Sequence, residues 1–257
     1  MTNISNTDRE RLVKEKAFHD KRFGGDDSER AAADKYYTIM EKALLEYSSR
    51  AISKGRDGTM LEYGCATGLE SKLWLDVCNK LVGIDISSEA IDKATQNLEE
   101  MGYSDKATYV EMNAEQLEFE DSMFDAIVGN GIIHHLDLNA CYKELARVLS
   151  PSGSAVFIEP TGHNPVINAY RALTPSMRTE DEHPVLMKDI ELAKLYFDSV
   201  EVAHYNLFTI LATPFRNTGF FQPLLSLLHA VDRGIFKIPG MKKYGWTVVM
   251  ELSQPKK

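Results

Sequence analysis

A doubly wound α/β sheet of about seven strands, mostly parallel and carrying helical insertions, is the fold this sequence predicts, and three observations predict it. From Thr59 to Pro160 short strand-like runs alternate with segments of helical periodicity, the rhythm of consecutive β-α-β units. The run FDAIVGN, Phe124 to Asn130, is apolar almost throughout, as a parallel strand covered on both faces requires. No unit of roughly 20–50 residues recurs and no low-complexity tract is present, which sets solenoids and arrays aside.

At the N-terminus, MTNISNTDRERLVKEKAFHD is polar and lacks the apolar stretch of a secretory signal. Ala33, Tyr37, Met40, Leu44 and Tyr47 then step by four and three, placing one apolar stripe on a helix that ends near the SKGRDG turn. Residues 1–55 are therefore expected to cap the core. TMLEY reads as the first strand, Leu69 to Val77 as a helix and KLVGID as the second strand. Ser87 caps a helix with Ala90, Ile91, Ala94 and Leu98 on one face. ATYVEM and FDAIVGN follow as the third and fourth strands. Leu138, Cys141, Leu145, Val148 and Leu149 recur at helical spacing until Ser150-Pro151-Ser152-Gly153 breaks the pattern, and SAVFIEP supplies the fifth strand.

Beyond Pro160 the rhythm changes. FDSVEVAHY and WTVVMEL read as the sixth and seventh strands, yet about 40 residues separate them, far more than a hairpin needs. Residues 161–186 and 206–245 are thus insertions with structure of their own, expected to act as lids over the substrate. In the second, Pro223 opens a helix in which Leu224, Leu228, Val231 and Ile235 share a face. A helix begins near Met187. The whole chain, 1–257, forms one domain around a ligand-binding core at 56–160.

Composition narrows the function. The 257 residues are 44% hydrophobic and 26% charged, with a formal net charge of −9. Such an acidic balance is unsuited to neutralising a phosphate backbone, so nucleic acid is not an expected partner. Cys65, Cys78 and Cys141 match neither a disulfide framework nor a zinc pattern, and a reducing cytoplasm fits them. No apolar run reaches the roughly 20 residues that span a bilayer. The apolar insertion around Phe220, Phe221, Leu224, Leu225, Leu227 and Leu228 reads first as lid core, with peripheral membrane contact left open.

The strongest chemical signal is Glu62-Tyr63-Gly64-Cys65-Ala66-Thr67-Gly68, closing the first strand and opening the first helix. Gly64 and Gly68 let the backbone turn sharply and approach a ligand, and a helix N-terminus there would offer free N–H groups. A dinucleotide fingerprint would need small residues at 64, 66 and 69, and Leu69 breaks it. The segment instead resembles the E/D-x-G-x-G-x-G motif of class I S-adenosylmethionine-dependent methyltransferases, with Ala66 as the departure. The likeness covers roughly Thr59 to Pro160 and is closest to small-molecule enzymes of quinone biosynthesis and natural-product pathways.

What that resemblance implies is a Rossmann-like sheet whose last strand is antiparallel, S-adenosyl-L-methionine as cofactor, and a named set of contacts. Glu62 lies near the methionine amine. Gly64, Cys65, Ala66 and Gly68 make the loop, with Cys65 a small spacer. Asp85, ending the second strand, accepts from the ribose hydroxyls, and Ile86 packs on the adenine. Asn113-Ala114-Glu115-Gln116-Leu117 stands where the family has D-A-x-x-L, so the neutral Asn113 replaces an aspartate at the adenine. Asn130 and Gly131, with Gly129 and Ile132, close the methionine side. FDAIVGNGIIHHL resembles the family's fourth motif, and His134 or His135 is the candidate general base, since a neutral imidazole takes a proton near pH 7. A purely structural role for one of the rings is the alternative.

Tyr170, Arg171, Arg178 and His183 are weaker candidates for substrate contact. The acidic run Glu180-Asp181-Glu182 with His183 and the paired histidines could in principle supply a two-histidine, one-carboxylate metal site, but such a run is more often a solvated loop, and no metal is expected. The expected reaction is methyl transfer to a small, apolar or aromatic acceptor at O, N or C. The rivals are a nucleotide-dependent oxidoreductase, which lacks a Tyr-x-x-x-Lys pair here, and a catalytically silent member of the fold that binds cofactor or a protein.

Overall fold

The computed structural model describes residues 6–25, 37–174 and 182–257. A seven-stranded sheet runs through it in the order β3-β2-β1-β4-β5-β7-β6, with β1 Thr59–Tyr63, β2 Lys80–Asp85, β3 Ala107–Glu111, β4 Phe124–Asn130, β5 Leu149–Pro160, β6 Phe197–Tyr205 and β7 Thr247–Pro255. Strands β1 to β5 pair in parallel, and β7 is antiparallel to both β5 and β6. This is the Rossmann-like sheet with an antiparallel last strand that the sequence implies.

Period-two alternation divides the core between the faces. In β5, Ala155 and Phe157 join one cluster while Val156 and Ile158 join the other, all fully or almost fully buried. The Phe157 side packs under α5 (Leu138–Val148) and α7 (Met187–Ala193), through Cys141, Tyr142, Leu145 and Ile190. The Val156 side carries α2 (Glu41–Gly55), α3 (Lys72–Leu75) and α4 (Ser88–Met101), through Tyr47, Trp74, Ala94 and Leu98. Each wholly buried side chain of this size contributes about 1.5–3 kcal/mol, so both faces are well anchored.

Local signals set the helix ends. Ser87 accepts from the Ala90 N–H, and Gly102 closes α4 in the left-handed region at φ 77°. Asp137 caps α5 through the Ala140 N–H. Asn164 caps α6 (Pro165–Leu173), whose first residue is the proline that needs no donor there.

Three sequence expectations are corrected. The helix expected from Leu69 to Val77 is one turn, because Glu62 draws Ser71 and Trp74 toward the sheet end before a longer helix can form. The cap helix starts at Glu41 rather than near Ala33, which lies outside the described residues; Met40 and Tyr47 are buried as expected, but Tyr37 is exposed. Ser150-Pro151-Ser152-Gly153 does not interrupt β5 but is absorbed as a bulge, the pairing jumping from Phe124↔Leu149 to Ala126↔Ser154. The polar N-terminal stretch forms a helix of its own, α1 (Asn6–Phe23), laid over the carboxyl ends of the strands.

The two insertions leave the sheet at that same end, since Pro160 and Tyr205 both pair with Thr247. The second contains a 3₁₀ segment, Thr209–Phe215, and helix α8 (Phe221–Ile235). Its inner side is pinned by the buried Asp232, whose carboxylate accepts from the N–H groups of Leu207 (3.0 Å) and Phe208 (2.7 Å).

Candidate functional site

The loop after β1 is held from below. Gly64 and Cys65 donate their N–H groups to Ile84 O at 2.9 and 2.8 Å. Gly64 has φ 76°, and a side chain there would meet Ile132 at 2.9 Å, so this position is reserved for glycine by conformation and by crowding. Ala66 adopts φ 47°, left-handed despite its Cβ, a conformation that costs a non-glycine residue about 1–2 kcal/mol. The strain explains why this position reads as glycine in the motif that the loop resembles. With only one helical turn following, the loop N–H groups rather than a helix dipole face the ligand. The Cys65 thiol is pushed up by burial and stays protonated, which suits a spacer and not a nucleophile.

Glu62 is buried beneath this loop. Trp74 Nε1 donates to its Oε1 at 3.0 Å and Ser71 Oγ donates to its Oε2. Burial nevertheless raises its pKa to about 8, the two donors opposing the shift only in part. At the end of β2, Asp85 accepts the Ala66 N–H and the Ser87 N–H, one on each oxygen at 3.0 Å. Each oxygen keeps a lone pair for a further donor. Asn113 turns the chain after β3 by accepting the Glu115 N–H at 3.0 Å, an Asx turn.

The paired histidines, on the 3₁₀ turn Ile133–His135, have separate environments. His134 Nδ1 lies 2.7 Å from Glu159 Oε2, and the other Glu159 oxygen accepts from the Ile132 and Ile133 N–H groups at 2.9 Å. Burial, followed by the neighbouring His135, lowers the His134 pKa even though Glu159 opposes it. His135 instead lines the ligand cavity, with Nδ1 3.5 Å from Glu15 Oε2 of α1.

That cavity, of about 410 Å³, crosses the ends of β3, β2, β1 and β4. Its sheet side is formed by Asn113, Asp85, Glu62, Gly64, Asn130 and His135. Its roof is α1, through Leu12, Glu15, His19, Arg22 and Phe23. Arg11 fastens the roof: its Nη2 donates to both Glu115 oxygens at 2.6 Å and its Nη1 to His135 O at 3.1 Å. Lys16 adds bonds to Ile86 O at 3.1 Å and Glu111 Oε1 at 2.6 Å, and Ser87 Oγ bonds Asp20 at 2.6 Å.

Residues 61–157 match the family model described as a methyltransferase domain. This segment is a methyltransferase domain. A sterol 24-C-methyltransferase of Aspergillus fumigatus is 29% identical over 177 residues, covering 67% of this chain and 41% of the fungal protein. A phosphatidylethanolamine N-methyltransferase of Cereibacter sphaeroides is 32% identical, over 40% of this chain and 51% of that one. The chain thus spans about half or less of the length of these relatives. Among solved structures, geranyl diphosphate C-methyltransferase from Streptomyces coelicolor superposes with a TM-score of 0.58 at 14% identity, covering 83% of this chain and 79% of the other. Phosphoethanolamine N-methyltransferase 2 of Haemonchus contortus gives 0.63 at 16%, covering 86% and 56%. At these identities the superpositions establish the fold.

Around the methyltransferase domain, the weaker site candidates fall away from the cavity. Arg171 pairs with Glu182 at 2.9 Å. His183 is exposed, its backbone N–H bonding His134 O at 3.0 Å. Tyr170 is half-buried on α6, and Arg178 lies outside the described residues. None of the described residues of 161–186 or 206–245 lines the cavity, so the lid over it is α1 rather than either insertion. Two groups of side chains place their ligand atoms within 4.8 Å of one another: Glu15, His19 and His135, and His134, His135 and Glu182. In the second, His134 is already committed to Glu159 and Glu182 to Arg171.

Sequence reading missed Arg11, Glu15, His19, Glu115 and Glu159. The signal for Glu159 was present, an acid ending a strand that is otherwise apolar, just as Glu62 does. For α1 the signal was the absence of glycine and proline over 18 residues, with oppositely charged pairs such as Lys16 and Asp20 four apart. Replacing Arg11 by alanine removes the bonds from its Nη2 to Glu115, a charge-assisted interaction of about 1.5–3 kcal/mol. Amide hydrogen exchange across α1 should quicken by roughly 10–100-fold while the sheet is unchanged; unaltered exchange would show that other contacts hold the roof.

Proposed function

We propose that this protein transfers a methyl group from S-adenosyl-L-methionine to a small, apolar or aromatic acceptor at O, N or C, releasing S-adenosylhomocysteine. The observation that carries the reading is the order of groups along one cavity. Because β3, β2, β1 and β4 are neighbours, Asn113, Asp85, Glu62 and the Gly129-Asn130-Gly131 turn line up across adjacent strand ends. An elongated ligand with a base at one end, a diol in the middle and an amine beyond meets an amide, a carboxylate with spare lone pairs and a buried acid in that sequence. The glycine at 64 keeps the floor open for it, and Ile86 offers an apolar wall.

S-adenosylmethionine supplies a methyl group made electrophilic by its positively charged sulfur. What the chain must add is alignment and dryness, worth several kcal/mol through proximity. The α1 roof excludes water. His135 takes the proton when the acceptor is a hydroxyl or an acidic carbon, with Glu15 Oε2 3.5 Å from its Nδ1. His134 is a positioning residue, holding the loop through Glu159. The substrate contacts assigned to Tyr170, Arg171 and His183 find no support in the cavity lining.

The deciding experiment is calorimetric titration of the protein with S-adenosylmethionine, S-adenosylhomocysteine and NAD. One-site binding of the first two, weakened at least tenfold in Asp85→Ala, is expected; preference for NAD would overturn the reading in favour of an oxidoreductase. Tight binding with no labelled methyl transfer to phenols, quinones or amines would make the chain a silent binder.

The raised Glu62 pKa adds a pH dependence. A carboxyl with a pKa of about 8 is protonated at pH 7 without ligand, whereas a cationic amine needs it ionised, so binding expels a proton. Affinity for S-adenosylmethionine should therefore rise between pH 6 and pH 8, by up to about tenfold per unit, and level off above. Glu62→Gln should flatten the profile; an unchanged slope would remove Glu62 from the amine site.

The histidines separate in kinetics. His135→Ala should lower kcat by ~10²–10⁴ on a hydroxyl or carbon acceptor with cofactor affinity intact. His134→Ala should chiefly lower thermal stability. A loss below tenfold for His135→Ala would end its role as base.

A further inference from the structure

The insertion between β6 and β7 does not line the ligand cavity, and its outer surface is unusual in two independent respects. The first is apolar exposure. Leu211 (53%), Phe215 (43%), Phe220 (58%), Leu227 (61%) and Ile238 (51%) all lie open to solvent within it. Helix α8 has a buried side and a separate exposed apolar stripe. Phe221, Leu225, His229 and Asp232 point inward and are buried. On another side, Leu227 and Val231 share a stripe that Phe220, the residue just before the helix, continues, a spacing of seven and four residues. Phe215 and Phe220 meet edge to face at 6.2 Å and form one aromatic tip.

The second respect is charge. Between Leu207 and Gly245 stand Arg216, Arg233, Lys237, Lys242 and Lys243, against a single acid, Asp232. That acid is turned inward and tied to backbone N–H groups. Among the described residues, none of the five cations forms an ion pair. Some cations elsewhere do, as in Lys54–Glu251, Arg147–Asp121, Lys194–Glu191 and Lys256–Asp198, and what sets the insertion apart is its excess of five cations over one acid. A chain with a formal net charge of −9 has therefore gathered positive charge on the same insertion that exposes Phe215 and Phe220.

From this combination we infer that the 206–245 insertion docks the protein on an anionic phospholipid surface. Exposed phenylalanine and leucine enter the boundary between headgroups and acyl chains, while lysine and arginine around them attract the lipid phosphates. A second copy of this chain using the same face would bring five cations against five, so a self-pairing is electrostatically opposed. The insertion leaves the sheet at the end that carries the cavity, so docking sets the ligand end of the sheet toward the lipid. The inference does not depend on methyl transfer, because it is read by partitioning alone.

The test is co-sedimentation of the full chain with vesicles of phosphatidylcholine alone and of phosphatidylcholine containing one third phosphatidylglycerol, at low and high salt. Binding to the anionic vesicles, reduced by salt and weak on phosphatidylcholine, is expected. At about fivefold per cation, Lys237→Glu with Lys242→Glu should lower the partition coefficient by more than tenfold. Phe220→Ser with Leu227→Ser should lower it as well. Both positions are exposed, and melting curves check the fold; should the apolar variant unfold, the charge variant decides. Equal binding to both vesicles, binding to neither, or a dimer in sedimentation velocity that Phe220→Ser with Leu227→Ser dissolves would each overturn the inference.

Discussion

The ligand end of this molecule is assembled by carboxylates that are buried or half-buried and tied to backbone N–H groups. Loops at the carboxyl ends of parallel strands leave donors without a ladder partner, and such donors are costly when buried. Here acids take them up: Asp85 the N–H groups of Ala66 and Ser87, Glu159 those of Ile132 and Ile133, Glu115 that of Asp137, and Asp232 those of Leu207 and Phe208. Each bond is charge-assisted, roughly twice as strong as a neutral one. The loop geometry of the cavity wall therefore follows from acids that lie in or beside the strands, and a loop cannot move without releasing its carboxylate.

The same acids connect the loops to one another. Glu159 joins β5 to the loop after β4 and at the same time sets the ring of His134. Glu115 joins the loop after β3 to the start of α5 and receives Arg11 from the roof. Closure by α1 is thus electrostatic: an arginine, a lysine and an aspartate meet partners that the strand-end loops already hold in place. Apolar packing under α1 is small by comparison, with Leu12 and Phe23 at the cavity edge. A roof held by a few polar bonds opens at modest cost, which a closed cavity needs if ligands are to enter.

This division also explains what could be read from the sequence. The sheet was legible because its strands carry period-two patterns and near-continuous apolar runs, and because Ser87, Asp137 and Gly102 mark helix ends locally. The cavity floor was legible because glycine and acid at fixed offsets after β1 and β2 have few other uses. The roof was not, since α1 has almost no apolar stripe and its partners, such as Glu115 and Glu111, are about a hundred residues away. The one-turn helix after Gly68 was misread for a related reason: Leu69, Leu73, Trp74 and Val77 suit a longer helix, but the buried Glu62 pulls Ser71 and Trp74 into bonds that local periodicity does not reveal. Long-range polar contacts leave no periodic trace.

Polar α1 covers the cavity, while the apolar 206–245 insertion stands outside it. The separation has a physical reason. A roof rich in exposed leucine and phenylalanine would bind to itself or to lipid when open, whereas a polar roof stays soluble in both positions. An apolar insertion fixed by Asp232 and by the packing of Ile210, Ala212, Phe221 and Leu225 does not need to move. It can remain exposed as a rigid surface with its cations arrayed around it. An apolar acceptor, as proposed for the reaction, is scarce in water and abundant in lipid, so a fixed greasy face beside a movable polar roof places the two requirements on different parts of the chain.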